Sequence, residues 1–284
     1  MISPKTILVT GCSTGGIGAA LALALAKRNN TVIATARTPS KIPSSLSTLP
    51  NVTVLALDVC SPPSITAAVS HFTSNNLTLD VVVNNAGGGY AMPLLDASID
   101  RAKELYDLNV WGPLRAIQAF SALLIASKGR VVNISTCGAA VNTPWIGVYS
   151  SSKAALTTLS ETLRLELLPF GVRVVAIMVG AVDSKFHDND VFELPRTSLY
   201  VPVEEQLKGW ASGASKPKGV AADVFVESIV EDVVGDGAVG LVWKGPHAGS
   251  IKYLSRFAPQ SVADAAMSYT QGLAELKAHV DAKE

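Results

Sequence analysis

Short β-branched runs alternate with longer helical patterns through most of the chain, and no other feature restricts the fold as strongly. Strands are predicted at residues 6–10, 31–35, 52–57, 81–84, 131–135, 172–179 and 239–243. Most are continuously apolar, as expected of strands covered on both faces. Between them fall helical segments at 17–28, 61–74, 99–127 (one piece or two), 150–168 and 221–234. Ser61-Pro62 supplies an N-cap and a first helical position for the second of these. The alternation predicts an α/β fold, a doubly wound parallel sheet of about seven strands with helices on both faces. A single domain over residues 1–284 is expected, with its core at about 5–245.

The regular alternation stops after Val179. Residues 183–220 carry Pro195, Pro202 and Pro217 and the stretches "FHDNDVFELP" and "GWASGASKPKG". An irregular stretch of that length suits a substrate lid. A C-terminal extension, 246–284, is expected to end in a helix at 262–277. Lys plus Arg and Asp plus Glu are 23 each, so no overall charge draws the chain to nucleic acid. Cys12, Cys60 and Cys137 are far apart and odd in number, which points to a reduced, cytoplasmic protein. His71, His187, His247 and His279 are scattered, so no metal site is expected. The longest apolar run, 17–26, is shorter than the ~20 residues that span a bilayer. No transmembrane segment is therefore expected, and peripheral membrane contact is left open.

Gly11, Gly15, Gly16 and Gly18 sit where the first strand ends and the first helix begins. Without side chains there, a pyrophosphate reaches backbone N–H groups at a positively polarised helix end. That is a dinucleotide-binding arrangement, although a plain tight turn uses the same residues. An NAD site usually places an acid at the end of the second strand. Here that strand reads "TVIATARTPSK", with no acid, and Arg37 and Lys41 follow. A guanidinium suits a 2′-phosphate, which favours NADPH. Asp58 in "LDVC" is placed either to accept from an adenine amino group or to cap the following helix. In "VVVNNAGGGY", Asn84 and Asn85 tolerate unusual backbone angles, and Gly87 to Gly89 leave room beside a ligand.

Tyr149 and Lys153 are four apart in "YSSSK" and share a face if Tyr149 opens a helix. A nearby ammonium lowers a phenol pKa from about 10, which would make Tyr149 a general acid or base. Ser135 ends the preceding strand, where its hydroxyl would polarise a carbonyl.

Taken in order, "TGCSTGGIG", "LDV", "NNAG", "LNVWG", "NIS" and "YSSSK" resemble the short-chain dehydrogenase/reductase family over roughly residues 5–245. The resemblance implies a Rossmann-like fold with Ser135, Tyr149 and Lys153 as the catalytic trio. It adds Asn109 as a fourth member, holding a water in a proton relay. Implied cofactor contacts are Gly11, Ser13, Gly16, Ile17, Gly18, Arg37, Asp58, Val59, Asn85, Ala86, Gly87, Tyr149, Lys153, Val182 and Ser184. The glycine loop carries one extra residue, which leaves Gly15 without a match, and Val179 stands where the family usually has proline. The loop, "TAR" and "VWKG" are similar to a fungal branch with acyl-dihydroxyacetone-phosphate reductases, which resemble hydroxysteroid dehydrogenases.

The implied reaction is reduction of an apolar lipid, steroid-like or natural-product carbonyl compound by NADPH, with Tyr149 donating the proton. Tyr90, Met92, Trp145, Phe186 and Phe192 are expected to wall the substrate pocket. Two alternatives stay open: a non-redox cyclase, dehydratase or isomerase on the same scaffold, and a nucleotide-sensing binding protein. Homodimers or homotetramers are implied through helices near 110–127 and 150–168.

Overall fold

A computed structural model describes residues 3–189 and 192–283; Asp190 and Val191, inside the expected lid, lie outside the described residues. The strands are β1 (Thr6–Val9), β2 (Thr31–Ala36), β3 (Val52–Ala56), β4 (Val81–Asn84), β5 (Arg130–Thr136), β6 (Arg173–Val179), β7 (Val182–Asp183), β8 (Val220–Ala221) and β9 (Gly240–Lys244). The helices are α1 (Ile17–Ala26), α2 (Ser44–Ser47), α3 (Pro62–Ser74), α4 (Ile99–Tyr106), α5 (Gly112–Ser127), α6 (Gly147–Glu166), α7 (Glu204–Ser212), α8 (Ala222–Glu227), α9 (Val230–Val234), α10 (Ala248–Phe257), α11 (Gln260–Ser268) and α12 (Leu273–Asp281).

Seven strands form one parallel sheet in the order β3-β2-β1-β4-β5-β6-β9. The register sets Ile7 against both Val32 and Val81, and Ser135 against Met178. The chain runs outward from β1 to β3 and then returns to lay β4 on the other side of β1. This reversal opens a crevice at the C-terminal ends of β1 and β4, where such sheets bind ligands.

Each face of the sheet carries an apolar layer. On one, Leu21 and Leu25 of α1, Phe225 of α8 and Val233 of α9 pack on Ile7, Val9, Val132 and Ile177. On the other, Phe72 of α3 and Phe120 of α5 meet edge to face at 5.5 Å over Leu8, Ile33, Val82 and Val131. Each such side chain stabilises the fold by roughly 1.5–3 kcal/mol when fully buried. Under α6 the layer turns polar: Asn84 donates to Asn133 (2.8 Å), and Asn133 donates to Ser160 (2.8 Å).

Several expected elements are divided or longer. The segment 99–127 is one continuous helix, in which a π-helical turn at Asp107–Trp111 joins α4 to α5. By length and composition it is apolar enough to cross a membrane. In this fold its stripe of Ala116, Ile117, Phe120 and Leu124 is buried. The helix expected at 221–234 is two short pieces, α8 and α9. The one expected at 262–277 is broken by Thr270 (φ 61°) and Gly272 (φ 80°) into α11 and α12. The supposedly irregular 183–220 holds the β7–β8 pair and α7.

Candidate active site

The crevice is built around glycines that admit no side chain. Gly11 has φ 74°, and a Cβ there would come within 2.8 Å of the Ala86 Cα. A Cβ on Gly18 would run into the Asn85 amide and the Gly11 carbonyl. Asn85 explains the crowding, because its Nδ2 donates to the carbonyls of Thr10 (2.9 Å) and Gly11 (3.1 Å). Thr10 Oγ1 in turn accepts from the backbone N–H of Asn85 and of Ala86, both at 3.0 Å. The loops after β1 and β4 are thus stitched together. Neither Asn84 nor Asn85 is a left-handed residue; both act through their side chains, contrary to the expectation of unusual backbone angles.

Gly16 opens α1 with no side-chain cap, and the first turn holds no acid. The N–H groups around Ile17 and Gly18 therefore present an uncompensated positive helix end at the crevice, which fits a phosphate. The Ser13 carbonyl accepts from Gly16 N–H (3.1 Å), and both Thr14 N–H (2.9 Å) and Thr14 Oγ1 (2.8 Å) donate to the Lys41 carbonyl. These bonds bring the turn carrying Lys41 beside the glycine loop. Arg37 lies one residue past β2 and is exposed. Asp58 Oδ1 accepts from Cys60 N–H (2.9 Å) in the turn before α3, while the helix itself is capped by Ser61. Val59 is buried against Gly112, where a Cβ would meet its Cγ2 at 2.7 Å.

Tyr149 and Lys153 lie one turn apart on α6, as expected. Ser135 does not join them. Its hydroxyl pairs with Thr157 Oγ1 (2.7 Å) and donates to the Lys153 carbonyl (3.3 Å), beneath the helix. Thr136, the next residue, hydrogen-bonds the Tyr149 phenol instead. The cause is strand alternation. Ser135 shares a face with Asn133, which also points under α6, whereas Thr136 takes the opposite parity. Thr136 was missed, although its hydroxyl directly follows Ser135 in "NIST".

The phenol also departs from expectation. Burial pushes the Tyr149 pKa up to about 12, against a smaller downward pull from Thr136. Lys153 is 5% exposed, and burial brings its pKa down to about 8. Its Nζ donates to the Ile134 carbonyl (2.9 Å). Asn109 is fully buried in the π-helical turn. It accepts from Gly88 N–H (3.0 Å) and donates to Gly88 O and Ser152 Oγ (3.0 Å each). Its side chain locks the loop after β4 onto the helices. Gly87 sits in this knot, where a Cβ would come within 3.0 Å of Asn109 Oδ1 and 3.3 Å of Lys153 Nζ.

Beyond β6, Val182 pairs with Val220, and its carbonyl accepts from Lys216 Nζ (3.3 Å). Half-buried Ser184 leads into Lys185, whose N–H donates to the Gly15 carbonyl (3.1 Å) and whose stem covers Gly15. Phe186 follows, 5.5 Å from the Tyr149 ring and against Gly89. Residues 184–186 therefore bridge the glycine loop to Tyr149. Tyr90, Met92 and Trp145 gather beside them, with Tyr149, Phe192, Leu194, Val203 and Leu207, in one apolar cluster.

These features coincide with what is found among known proteins. The profile of the short chain dehydrogenase family matches residues 5–192. The short-chain dehydrogenase ptmH of Penicillium ochrochloron is 42% identical over 261 residues, covering 92% of this chain and 95% of the relative. The NADPH-dependent 1-acyldihydroxyacetone phosphate reductase of Schizosaccharomyces pombe is 34% identical over 245 residues, covering 84% and 81%. A short-chain dehydrogenase structure from Streptomyces avermitilis superposes with TM-score 0.78 at 25% identity, covering 99% of both chains. A Burkholderia cenocepacia short chain dehydrogenase in complex with NADP gives 0.74 at 24%, covering 94% and 98%. The chain belongs to the short-chain dehydrogenase/reductase family and is an oxidoreductase of that family. Its similarity to fungal members includes the acyldihydroxyacetone phosphate reductase branch expected from the motifs.

Proposed function

We propose that the protein is an NADPH-dependent carbonyl reductase acting on apolar ketones or aldehydes. The observation that carries this reading is Thr136 beside the Tyr149 phenol at the C-terminal end of β5, with Lys153 one helical turn along α6. Gly11, Ser13, Gly16, Ile17, Gly18, Asn85, Ala86 and Gly87 would hold the dinucleotide backbone, with Val182 and Ser184 toward the nicotinamide. Exposed Arg37 would take the 2′-phosphate, and Asp58 and Val59 would flank the adenine. The cofactor named in the Schizosaccharomyces relative favours NADPH for this chain too.

When bound, the cofactor would supply hydride chemistry at a carbonyl carbon. The chain's part is electrostatic and positional. Thr136 and Tyr149 hydrogen-bond the carbonyl oxygen. With its pKa near 12, Tyr149 is protonated at neutral pH, the form a proton donor requires. It gives that proton to the developing alkoxide, a stronger base than a phenolate. Lys153, charged below about pH 8 and one helical turn from Tyr149, would stabilise the phenolate left behind. Asn109 keeps the Gly88 loop against Lys153 while this happens.

The test is a panel of carbonyl compounds with NADPH and NADH in parallel, followed by absorbance and by product mass. Turnover with a gain of two hydrogens is expected. Tyr149→Phe should lose about 100-fold or more in kcat while binding NADPH as before, and Arg37→Ala should narrow the preference for NADPH over NADH. Full activity in Tyr149→Phe, or NADPH unconsumed with product of unchanged mass, overturns the reading.

A further inference from the structure

The C-terminal segment, expected to be a mere extension, packs against the apolar cluster beside Tyr149. Gln271 lies between α11 and α12 and is 9% exposed. Two indoles point at it. Trp145 Nε1 donates to the Gln271 main-chain carbonyl (2.9 Å), and Trp210 Nε1 donates to its side-chain Oε1. The two tryptophans come from different segments that meet in this cluster. Trp145 stands four residues before Tyr149, and Trp210 lies on α7 in the expected lid.

Trp145 is also strained. Its φ is 71°, in a region that a bulky residue rarely enters and that costs about 1–3 kcal/mol. Such a conformation persists only where its surroundings hold it. Here the holds are Met92 N–H donating to the Trp145 carbonyl (2.7 Å) and the indole bond to Gln271. The Tyr200 ring packs edge to face on Trp145 at 5.4 Å. Gly272 (φ 80°) lets the tail press on Val203, where a Cβ would come within 3.1 Å of its Cγ1.

We propose that Gln271 is a positioning residue that clasps lid helix α7 to the loop before Tyr149, and so fixes the shape of the carbonyl-binding chamber. This proposal rests on the reductase reading. With the clasp closed, Trp145, Tyr200 and Phe192 hold one apolar, aromatic wall suited to a flat carbonyl substrate. With it open, α7 loses its polar tie to the tail and the wall loosens, while the glycine crevice is untouched.

The experiment compares wild type, Gln271→Leu, Trp210→Phe and Gln271→Glu, using 9,10-phenanthrenequinone as the flat probe. Gln271→Glu keeps an oxygen for the Trp210 indole. In Gln271→Leu and in Trp210→Phe, KM should rise about three- to tenfold, the scale of one buried hydrogen bond. In both, kcat and the NADPH dissociation constant should stay within about twofold. Gln271→Glu should restore KM, and the Gln271→Leu/Trp210→Phe double variant should be no worse than either single. An unchanged KM in Gln271→Leu, or a rise that Gln271→Glu fails to reverse, overturns the clasp. Hydrogen exchange across 200–212 provides a readout independent of turnover. If wild type reduces no carbonyl compound, the reductase reading falls by itself. The clasp then stands if Gln271→Leu speeds exchange there and Gln271→Glu reverses it, and it falls if exchange is unchanged.

Discussion

Ser135 and Thr136 carry the same functional group one residue apart, yet they face different neighbours. Ser135 closes a polar seam under α6, and Thr136 reaches the phenol. Replacing each by alanine separates the two roles. On the proposed role of Thr136 as a donor to the reacting oxygen, Thr136→Ala should lower kcat about 100-fold, with NADPH affinity kept. Ser135→Ala should leave kcat within a few-fold and cost about 1 kcal/mol of stability in urea unfolding. The reverse pattern would return Ser135 to the chemistry. Lys153 gives a second residue-scale prediction, through pH. Its folded pKa of about 8 lies below the unfolded value of about 10.4. Between those values the unfolded chain binds more protons, so stability rises with pH through that window. Below pH 8 the protein carries the cost of a buried ammonium. Lys153→Met should therefore abolish turnover yet raise stability at pH 7 by roughly 1–3 kcal/mol. The gain should fade as pH passes from 8 toward 10. Urea unfolding of both proteins from pH 6 to pH 10 measures it, and a gain independent of pH would mean that the ammonium is not the cause.

At the scale of elements, the parallel sheet was legible because strands buried on both faces must be continuously apolar, and helices between them must cross over. β4, Val81–Asn84, and the N-cap Ser61 of α3 fall where the residues place them. The glycine loop falls between β1 and α1 where the residues place it, and Gly11 and Gly18 there admit no side chain. Parity was harder. The "NIST" stretch offers two hydroxyls, and only the pairing of Asn133 with Ser160 shows which face lies under α6. The phenol was misjudged because sequence spacing reports a neighbouring charge but not desolvation, and at Tyr149 desolvation is the larger effect. The lid was harder still. The stability of α7 comes from Val203 and Leu207 packing beneath Trp145 and from a tail some 60 residues away, contacts that no local pattern announces. For the same reason Gln271 left no mark in the sequence, because its function depends on two indoles that meet only in the fold.

The molecule as a whole leaves apolar surface that its own layers do not cover. Ile99 and Trp111 are 68% and 46% exposed, and they line a cleft with Ala102, Lys103 and Tyr106 on the outer face of the α4–α5 helix. Leu94 and Leu95 are exposed in the loop just before that helix, and Leu165, Leu168 and Phe170 at the far end of α6. Apolar patches rimmed by charge are the usual mark of an interface, and a self-complementary helix face most simply closes as a two-fold dimer. A partner on Trp111 would tie assembly to chemistry. It ends the π-helical turn that holds Asn109, two residues away, so a partner packed on Trp111 would steady the Gly88 loop beside Lys153. Wild type should sediment as a dimer or tetramer at micromolar concentration. Trp111→Lys should shift it toward monomer and reduce kcat, because the Asn109 turn loses its support, while the melting temperature should become independent of protein concentration. A monomeric wild type under the same conditions, or a monomeric Trp111→Lys with full kcat, would cut the link between this surface and the active site.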